Sequence, residues 1–467
     1  MDFKTNQDTI CAIATPVGEG GIGIIRISGP EAVGIAQQLF RPTTSTLSLK
    51  SHRLYHGWIL DPSTRQRVDE VLLSYMAAPR TYTREDVVEI NCHSGYAVLE
   101  RILELAIRAG ARLAEPGEFT RRAFLSGRID LSQAEAIIDV IHARSEKSLA
   151  LASRHLSGDL RDRILQWREV LLQFQALTEA SIDFSEDLED ASSDSHLAIS
   201  IQDLDKQVIA PLKELLDHFE RGRVLREGIT LVLVGKPNVG KSSLLNALLG
   251  KDRAIVTPVP GTTRDVIEET FLLSGILVRI LDTAGIRHSP DEIESIGIER
   301  TLRSVEDADV VLWLMDQSRP LTEEDDTIYA SISSSRHMLL LNKHDLPPAF
   351  SMEEAVEKYP SAAGAMELSA LNSSDIERLR EQLSESFLKQ PLESCNATLI
   401  SNLRQRDCLE RAMDALLRGK ELLLAGGYGE LVTEEIHLAR QQLESVLGWN
   451  EDEDLLDRIF SQFCIGK

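Results

Sequence analysis

The sequence predicts a multidomain fold made of an N-terminal α+β domain, an all-α helical domain and an α/β domain inserted into the helical one. The chain has 467 residues, and at roughly 150 residues per domain this predicts about three domains. Mixed strand-like and helical runs give way near Asp130 to continuous helical patterns, which stop at Gly228 and return after Gln390-Pro391. Between those two points, apolar strand-like runs alternate with helical segments, as in a parallel sheet wrapped by helices.

Each domain is defined by its own run of elements. Residues 1–127 form the α+β domain and residues 228–390 the α/β domain. Residues 128–227 and 391–467 are the two halves of the helical domain, because the ends of a domain commonly lie close together. Strands are expected at 22–28, 54–60, 68–76, 86–92, 229–234, 277–281, 310–315 and 338–341. Helices of the second helical half are expected at 399–424, 431–447 and 455–463.

Composition limits the possible functions. The 74 acidic residues outnumber the 50 Lys and Arg residues and give a formal net charge of -24, which argues against a polyanion-binding surface over the whole chain. The 5 cysteines have no C-x-x-C spacing, so they favour neither a disulfide framework nor a zinc site. No apolar run approaches the roughly 18 residues of a membrane span, and no signal peptide is recognisable. We therefore expect a cytoplasmic protein without membrane association.

The clearest chemical motif is a phosphate-binding loop of the form G-x-x-x-x-G-K-S/T between a predicted strand and a predicted helix. It reads Gly235-Lys236-Pro237-Asn238-Val239-Gly240-Lys241-Ser242, followed by Ser243. The glycines let backbone N–H groups surround phosphate oxygens, and Lys241 can reach the terminal phosphates. The Ser242 hydroxyl is placed for Mg²⁺ at a helix N-terminus. The motif predicts a nucleoside triphosphate site.

Three later segments indicate guanine as the base and GTP hydrolysis as the reaction. Asp282-Thr283-Ala284-Gly285 follows a strand and puts a carboxylate near the Mg²⁺ shell and a backbone N–H near the γ-phosphate. In Asn342-Lys343-His344-Asp345, the last residue can accept hydrogen bonds from guanine N1–H and its exocyclic amine, a donor pair that adenine lacks. Ser369-Ala370-Leu371 is spaced to close the base pocket. This order of elements favours a GTPase over a generic P-loop ATPase.

A polar loop between the phosphate loop and Asp282 is a candidate switch. It reads Thr257-Pro258-Val259-Pro260-Gly261-Thr262-Thr263-Arg264-Asp265. Of its two adjacent hydroxyls, that of Thr263 is the better placed to complete the Mg²⁺ shell when a γ-phosphate is present. The residue after Gly285 is Ile286, an aliphatic side chain that cannot orient water, so the catalytic group must lie elsewhere.

Together these motifs resemble one family. The G-x-P-N-x-G-K-S loop, the G-T-T-R-D loop, the inserted GTPase and the terminal Cys464-Ile465-Gly466-Lys467 are similar to the MnmE (TrmE) family of tRNA modification GTPases over essentially the whole chain. The resemblance implies an inserted α/β P-loop GTPase domain and an N-terminal folate-binding-like domain in a homodimer. It also implies a K⁺-activated GTPase that works with an MnmG (GidA)-type FAD-dependent partner. Together they install a (carboxymethyl)aminomethyl group at carbon 5 of the wobble uridine of certain tRNAs.

The resemblance further implies roles for individual residues. K⁺ would be bound by Asn238, Thr257, Val259 and Thr262. Glu294 would orient the attacking water indirectly, with Arg264 and Arg287 in the switch regions, and Cys464 would be needed for tRNA modification. A 5-formyltetrahydrofolate would contact Arg26, Glu89, Arg128 and Lys467, although the family often has Lys where this chain has Arg128. The predicted GTP-binding set is Asn238, Val239, Gly240, Lys241, Ser242, Ser243, Thr257, Pro258, Val259, Pro260, Gly261, Thr262, Thr263, Asp282, Thr283, Ala284, Gly285, Asn342, Lys343, Asp345, Ser369, Ala370 and Leu371.

Two rival functions share part of this pattern. An Era-like regulatory GTPase switch in ribosome assembly would share the phosphate loop and the Gly-Thr-Thr-Arg-Asp loop, but it would carry a basic RNA-binding appendage in place of the folate module. A folate-dependent transferase with a vestigial GTPase would not need Lys241, Asp282 and Asp345 intact.

Overall fold

The computed structural model describes residues 8–16, 18, 20–43, 49–183, 202–250, 268–282, 305–306, 308–387, 399–425 and 429–467. The chain divides into two compact units. The first draws on Met1–Ile138, His155–Ala210 and Asp407–Lys467, and the second on Asp139–Arg154 and Pro211–Arg406. Helices and sheets in both parts of the chain confirm the predicted multidomain fold class. The predicted domain boundaries at 127, 227 and 390 stay predictions.

The helices and strands have the following bounds. The described helices are α1 (Ala32–Leu39), α2 (Tyr96–Arg108), α3 (Glu118–Leu125), α4 (Leu131–His142), α5 (Glu146–Ser157), α6 (Asp159–Asp183), α7 (Ala210–Asp217), α8 (Phe219–Glu227), α9 (Lys241–Leu249), α10 (Glu323–Ile332), α11 (Met352–Lys358), α12 (Ser373–Phe387), α13 (Leu403–Leu424), α14 (Gly429–Val446) and α15 (Glu453–Phe460), with a π-helical turn at Asp205–Ile209. The described strands are β1 (Ile10–Ile13), β2 (Gly23–Ser28), β3 (Phe40–Pro42), β4 (Arg53–Leu60), β5 (Arg67–Met76), β6 (Val87–Cys92), β7 (Arg112–Leu113), β8 (Ile229–Val234), β9 (Glu268–Leu273), β10 (Ile276–Asp282), β11 (Val310–Asp316), β12 (His337–Asn342) and β13 (Ala365–Glu367). Among the described helices, none combines the length and apolar character that crossing a bilayer requires.

The first unit contains a sheet in the order β3-β4-β5-β6-β2-β1-β7. Neighbouring strands are antiparallel except for the short parallel pair β1 and β7. Because side chains alternate along a strand, Ile25 and Ile27 of β2 are buried in a core shared with α1 and α2, whereas Arg26 lies on the opposite face. This alternation puts the predicted polar residues of β2 and β6 on the face away from those helices.

Helical segments from distant parts of the chain pack together in the first unit. The Arg168 side chain of α6 donates from Nε to Glu444 Oε1 of α14 over 2.7 Å, although the residues are 276 positions apart. The Leu131 N–H at the start of α4 donates to the Leu447 carbonyl oxygen over 3.1 Å. A shared cluster of buried side chains joins α3, α4 and α15 and contains Phe124, Leu131, Ala134, Leu456, Ile459, Phe460 and Phe463. Segments on both sides of the second unit's sequence therefore share one core.

Glu444 is the polar centre of this helix packing. Its side chain is buried and also accepts from Arg440, which lies one turn earlier on α14, over 2.8 Å. Burial alone would raise the pKa of the Glu444 carboxyl, but the hydrogen bonds and charges of Arg168 and Arg440 hold it below its ordinary value. The carboxylate is therefore a stabilising element of the α6–α14 contact.

The second unit contains a sheet in the order β13-β12-β11-β8-β10-β9. Its strands are parallel except for the β9–β10 hairpin. Every residue of β11 is buried, as expected for a parallel strand covered on both faces, and separate apolar clusters pack on the two faces. The strands predicted at 229–234, 277–281, 310–315 and 338–341 are confirmed to within one residue.

We predict that Glu444→Gln destabilises the packing of α6 against α14. The loss should be about 2–3 kcal/mol at neutral pH, less than for a fully buried ion pair, because both arginines keep partial solvent contact. The pKa of Glu444 is lower in the folded state than its unfolded value of 4.5. Its stabilisation is therefore complete at pH values above the unfolded pKa, and it disappears as the pH falls through the folded pKa. Hydrogen exchange of the α14 amides, corrected for intrinsic rates, measures this local stability.

The matched control is Glu169→Gln, because Glu169 is exposed on α6. In Glu169→Gln, the free energy of local opening measured from the α14 amides should change by less than about 0.5 kcal/mol. Equal protection in wild type and Glu444→Gln at neutral pH would contradict the assigned role of this carboxylate.

Candidate functional site

Five parallel strands of the second unit, β8, β10, β11, β12 and β13, end at one edge of its sheet. The register pairs Leu233 of β8 with Asp282 of β10, and Val234 of β8 with Trp313 of β11. β10 and β11 lie on opposite sides of β8, so the order in which the chain adds strands to the sheet reverses at β8. The loops that follow β8 and its neighbours therefore diverge at this point. This is the usual position of a ligand crevice in an α/β sheet.

Two glycines shape the phosphate loop between β8 and α9. Gly235 and Gly240 have φ angles of +154° and +102°, and a Cβ on Gly240 would collide with the side-chain amide nitrogen of Asn342. The Lys241 Nζ donates to the carbonyl oxygens of Gly235 (2.6 Å) and Lys236 (2.9 Å), which holds its ammonium inside the loop. The result is a glycine-lined cradle with a cation at the start of α9, and this arrangement fits a phosphate group.

Three polar side chains border this cradle. Ser242 and Ser243 are exposed in the first turn of α9. Asn238 is exposed within the loop and has a φ of +63°, a left-handed conformation that asparagine tolerates better than most residues. A hydroxyl and an amide oxygen are ligands of the kind that hard cations prefer. Ser242 therefore fits the predicted Mg²⁺ role, and Asn238 fits the predicted K⁺ role.

Asn342 connects the phosphate loop to the predicted base pocket. Its side chain is 2% exposed. The Nδ2 atom donates to the Val239 carbonyl oxygen over 2.7 Å, and the Oδ1 atom accepts from the Ala370 N–H over 3.0 Å. Ser369 is held in turn, because its N–H donates to Asp375 Oδ2 over 2.9 Å. The structure therefore brings these segments together, as the motif spacing predicts.

The residues after Asn342 leave β12 towards solvent. Lys343 has a φ of +66°, and its Nζ lies 2.7 Å from Asp316 Oδ2 at the end of β11. Burial alone would raise the pKa of Asp316, but the hydrogen bonds from Lys343 and Ser318 hold it below its ordinary value. Asp345 and Leu371 are exposed, so the carboxylate expected to read guanine is accessible. Asp316 was not predicted as a site residue, although an acid that ends a fully apolar strand is a usable signal.

Part of the predicted nucleotide site lies outside the described residues. These positions are Thr257, Pro258, Val259, Pro260, Gly261, Thr262, Thr263, Arg264, Thr283, Ala284, Gly285, Arg287 and Glu294. Asp282 is described as the last residue of β10, but its side chain is not. The roles assigned to these residues stay predictions.

A second group of predicted residues meets on the first unit's sheet. Arg26 of β2 lies opposite Glu89 of β6, and the Arg26 Nε donates to Glu89 Oε1 over 2.9 Å. An Arg26 terminal nitrogen donates to the Gly466 carbonyl oxygen over 3.0 Å, and its guanidinium lies 5.6 Å from the centre of the Phe119 ring. Three elements distant in sequence therefore converge on one arginine.

The segment Cys464–Lys467 is held against the same sheet. Ile465 forms an antiparallel bridge with Pro116, and the Phe119 N–H donates to the Lys467 carbonyl oxygen over 3.1 Å. Gly466 has a φ of +92°, and a Cβ there would collide with the Ile13 carbonyl oxygen, so glycine is required. Lys467 is half-buried and Cys464 is exposed, which leaves this thiol accessible.

Arg128 reaches this region through Tyr82, a residue that the sequence did not single out. The Arg128 guanidinium lies 4.9 Å from the centre of the Tyr82 ring, and the Tyr82 hydroxyl is 2.9 Å from Thr120 Oγ1. Burial raises the pKa of the Tyr82 phenol, against the hydrogen bond of Thr120 and the positive charges of Arg128 and Arg26. Tyr82 therefore lies within the electrostatic reach of both arginines and connects Arg128 with the group around Arg26.

Comparison with known proteins matches the chain to one family along nearly its whole length. The description "GTP-binding protein TrmE N-terminus" matches residues 9–128, and "MnmE helical domain" matches residues 131–464. A relative called "tRNA modification GTPase MnmE" from Syntrophobacter fumaroxidans is 60% identical over 100% of both chains. Proteins of the same name from Carboxydothermus hydrogenoformans and Geobacter sulfurreducens are 46% and 45% identical over 99% of this chain, and over 100% and 99% of theirs.

We predict that Asn342→Ala weakens GDP binding at least about tenfold. The substitution leaves the Val239 carbonyl and the Ala370 N–H without their buried partner, and each unsatisfied group costs about 1–3 kcal/mol. Titration of the full chain with fluorescent GDP measures the affinity. Asn246→Ala is the matched control, because Asn246 is exposed on α9. An unchanged Kd in Asn342→Ala would show that GDP binding does not depend on the connection that Asn342 makes between the phosphate loop and the segment after β13.

Proposed function

The chain belongs to the MnmE family of tRNA modification GTPases, and from that membership we propose how it acts. It hydrolyses GTP in the course of tRNA modification. The observation that carries this proposal is the buried Asn342 side chain, which ties the phosphate loop to the segment expected to close the base pocket. Membership over the full chain also favours this function over an Era-like switch in ribosome assembly.

The phosphate end of the site promotes hydrolysis by placing charge. Lys241, fixed in the loop by two carbonyl oxygens, would stabilise the negative charge that develops on the phosphates as water attacks the γ-phosphorus. Ser242 and Thr263 would hold Mg²⁺, which would supply positive charge to the phosphates. Glu294 would orient the water, and Arg264 and Arg287 would act from the switch regions. Asp345 would select guanine by accepting from its N1–H and its exocyclic amine.

A potassium ion would replace the arginine finger of other GTPases. Asn238, Thr257, Val259 and Thr262 would hold it, and it would supply positive charge to the phosphates during hydrolysis. The exposed position of Asn238 in the phosphate loop supports this assignment. The GTPase domains of a homodimer would meet in the presence of K⁺, so GTPase activity would depend on protein concentration.

We predict that GTP turnover is faster in KCl than in NaCl at equal ionic strength and rises with protein concentration. Asn238→Ala should lose the K⁺ stimulation, because the cation ligand is removed. It should largely keep its GDP affinity, because the left-handed backbone at this position costs alanine only about 1–2 kcal/mol. Asn246→Ala, altered on the exposed side of α9, should behave as wild type. Slow turnover in both salts would instead indicate a switch that awaits an external activator. A K⁺-stimulated Asn238→Ala would contradict the ligand assignment alone.

The tRNA reaction would involve a second protein. We infer that an MnmG (GidA)-type FAD-dependent partner joins the homodimer, and that the complex installs a (carboxymethyl)aminomethyl group at carbon 5 of the wobble uridine. The net charge of -24 supports a division of labour in which the partner makes most of the tRNA contacts. Cys464 would take part in the modification, and its exposed thiol is compatible with that role. Because its substrate would be tRNA, we infer that the reaction takes place in the cytoplasm.

The group around Arg26 would bind 5-formyltetrahydrofolate. Basic side chains at Arg26, Arg128 and Lys467 suit the glutamate tail of a folate, and Glu89 can accept from the pterin donors. The convergence of Arg26, Glu89 and the Gly466 carbonyl supports one shared site. A bound folate would supply the one-carbon unit, and the surrounding residues would hold and orient it.

We predict that Arg26→Leu weakens binding of 5-formyltetrahydrofolate by about 10- to 100-fold, the usual range for losing charged hydrogen bonds. Calorimetry with the full chain measures the affinity. Arg67→Leu is the matched control, because Arg67 is an exposed arginine of the same sheet that stacks on Trp58 at 4.5 Å. Equal folate affinity in wild type and Arg26→Leu would refute this binding site and leave the GTPase assignment untouched.

A further inference from the structure

The phosphate loop carries a second lysine whose ammonium points away from the cradle. Lys236 Nζ lies 2.7 Å from Asp325 Oδ2 and donates to Thr322 Oγ1 over 3.1 Å. The Asp325 side chain is 2% exposed and that of Lys236 is 18% exposed, so the pair is largely removed from water. The two residues are 89 positions apart, and no sequence motif couples them.

Asp325 is itself rigidly held at the start of α10. Its Oδ2 accepts from the Thr322 N–H over 2.9 Å, and its own N–H donates to the Thr322 carbonyl oxygen over 3.0 Å. The bond to the Thr322 N–H is one half of a capping box, and the Thr322 hydroxyl oxygen accepting from the Asp325 N–H is the other half; together they tie the carboxylate to the first helical turn. Asp325 cannot move towards the phosphate loop without breaking the cap of α10.

The backbone of Lys236 serves the other lysine of the loop. Its carbonyl oxygen accepts from Lys241 Nζ over 2.9 Å, so the position of this carbonyl orients the ammonium that faces the phosphates. The side chain of Lys236 thus binds the start of α10, whereas its carbonyl oxygen orients the Lys241 side chain. Loss of the side-chain contact would remove one of the two interactions that fix this residue in the loop.

We propose that Lys236 is a positioning residue for nucleotide binding and that Asp325 is its anchor. The pair fixes the phosphate loop to α10 before nucleotide arrives, which reduces the ordering required on binding. Removing either partner leaves a buried charge uncompensated at the base of the loop. This inference rests on the proposed nucleotide binding. It adds the Lys236–Asp325 ion pair as the contact that holds the phosphate loop in its binding conformation.

A direct role for Lys236 as a phosphate ligand makes opposite predictions. A lysine that contacted the γ-phosphate would matter more for GTP than for GDP. Releasing it from Asp325 would then leave binding unchanged or strengthen it. A positioning residue affects GTP and GDP equally, and loss of its anchor weakens both.

The test is titration of the full chain with fluorescent GDP and a fluorescent non-hydrolysable GTP analogue. Lys236→Met should raise both Kd values by about tenfold, equivalent to 1.4 kcal/mol. Asp325→Asn should weaken binding in the same way, and the double variant should be no weaker than the worse single variant, because both remove one interaction. Lys236→Arg keeps the cation and should restore binding close to that of wild type.

A neighbouring ion pair provides the matched control. Lys358 Nζ lies 2.7 Å from Asp326 Oδ1, so this pair also ends in the first turn of α10, but its lysine belongs to α11. Lys358→Met should leave both Kd values unchanged. Thermal unfolding of each variant reports whether it is folded, and Lys236→Arg keeps the proposal testable if Asp325→Asn is unstable.

Three results would overturn the proposal. They are unchanged affinity in a folded Lys236→Met, tighter binding in Asp325→Asn, and additive losses in the double variant. Failure of wild type to bind GDP would refute the proposed nucleotide site itself, so the two failures can be told apart.

Discussion

The two hydrogen bonds of the Asn342 side chain are the interaction on which the nucleotide site depends. One reaches the loop after β8 and the other the segment after β13, so three strand ends share one rigid connection. Only an amide of this length offers a donor and an acceptor on opposite sides; Asp lacks the donor, and an aliphatic side chain lacks both. The same contact requires glycine at Gly240, because a Cβ there would occupy the space of the amide nitrogen. A single buried side chain thus constrains both composition and geometry around it.

At this site, the fixed positions of a few positive charges matter more than the net charge of the chain. The chain carries a net charge of -24, yet three lysines lie at the sheet edge where anions are expected. Lys241 is oriented by two carbonyl oxygens and supplies the charge for the phosphates, whereas Lys343 and Lys236 are paired with Asp316 and Asp325 and fix the segments around it. A charge held in place before binding needs no reorganisation during the reaction. The acidic surroundings therefore do not prevent a preorganised phosphate site.

Much of the fold follows from local sequence patterns, and the departures have physical causes. Runs such as Ile229–Val234 and Val310–Met315 are apolar, bounded and long enough to predict as strands. β7 and β13 have two and three residues, too few to show a period, and they exist because a neighbouring strand edge pairs with them. The phosphate loop and Asn342 were predictable because their chemistry requires fixed spacing. The partner of Lys236 was not, because a contact across 89 positions leaves no local trace. Arg26 could be grouped with Glu89 and Lys467 only through the family resemblance, because its contact with Gly466 spans 440 positions.

The contact between Arg168 and Glu444 has a consequence for the order in which the chain is made. The two residues are separated by 276 positions, and at roughly 5–20 residues per second a ribosome needs about 14–55 seconds to add them. During that interval α6 lacks its packing partner and exposes the apolar surface that α14 later covers. The intervening residues, including the parallel sheet, are synthesised first and can fold in the meantime. During synthesis, α6 therefore stays without this partner until the last helices emerge.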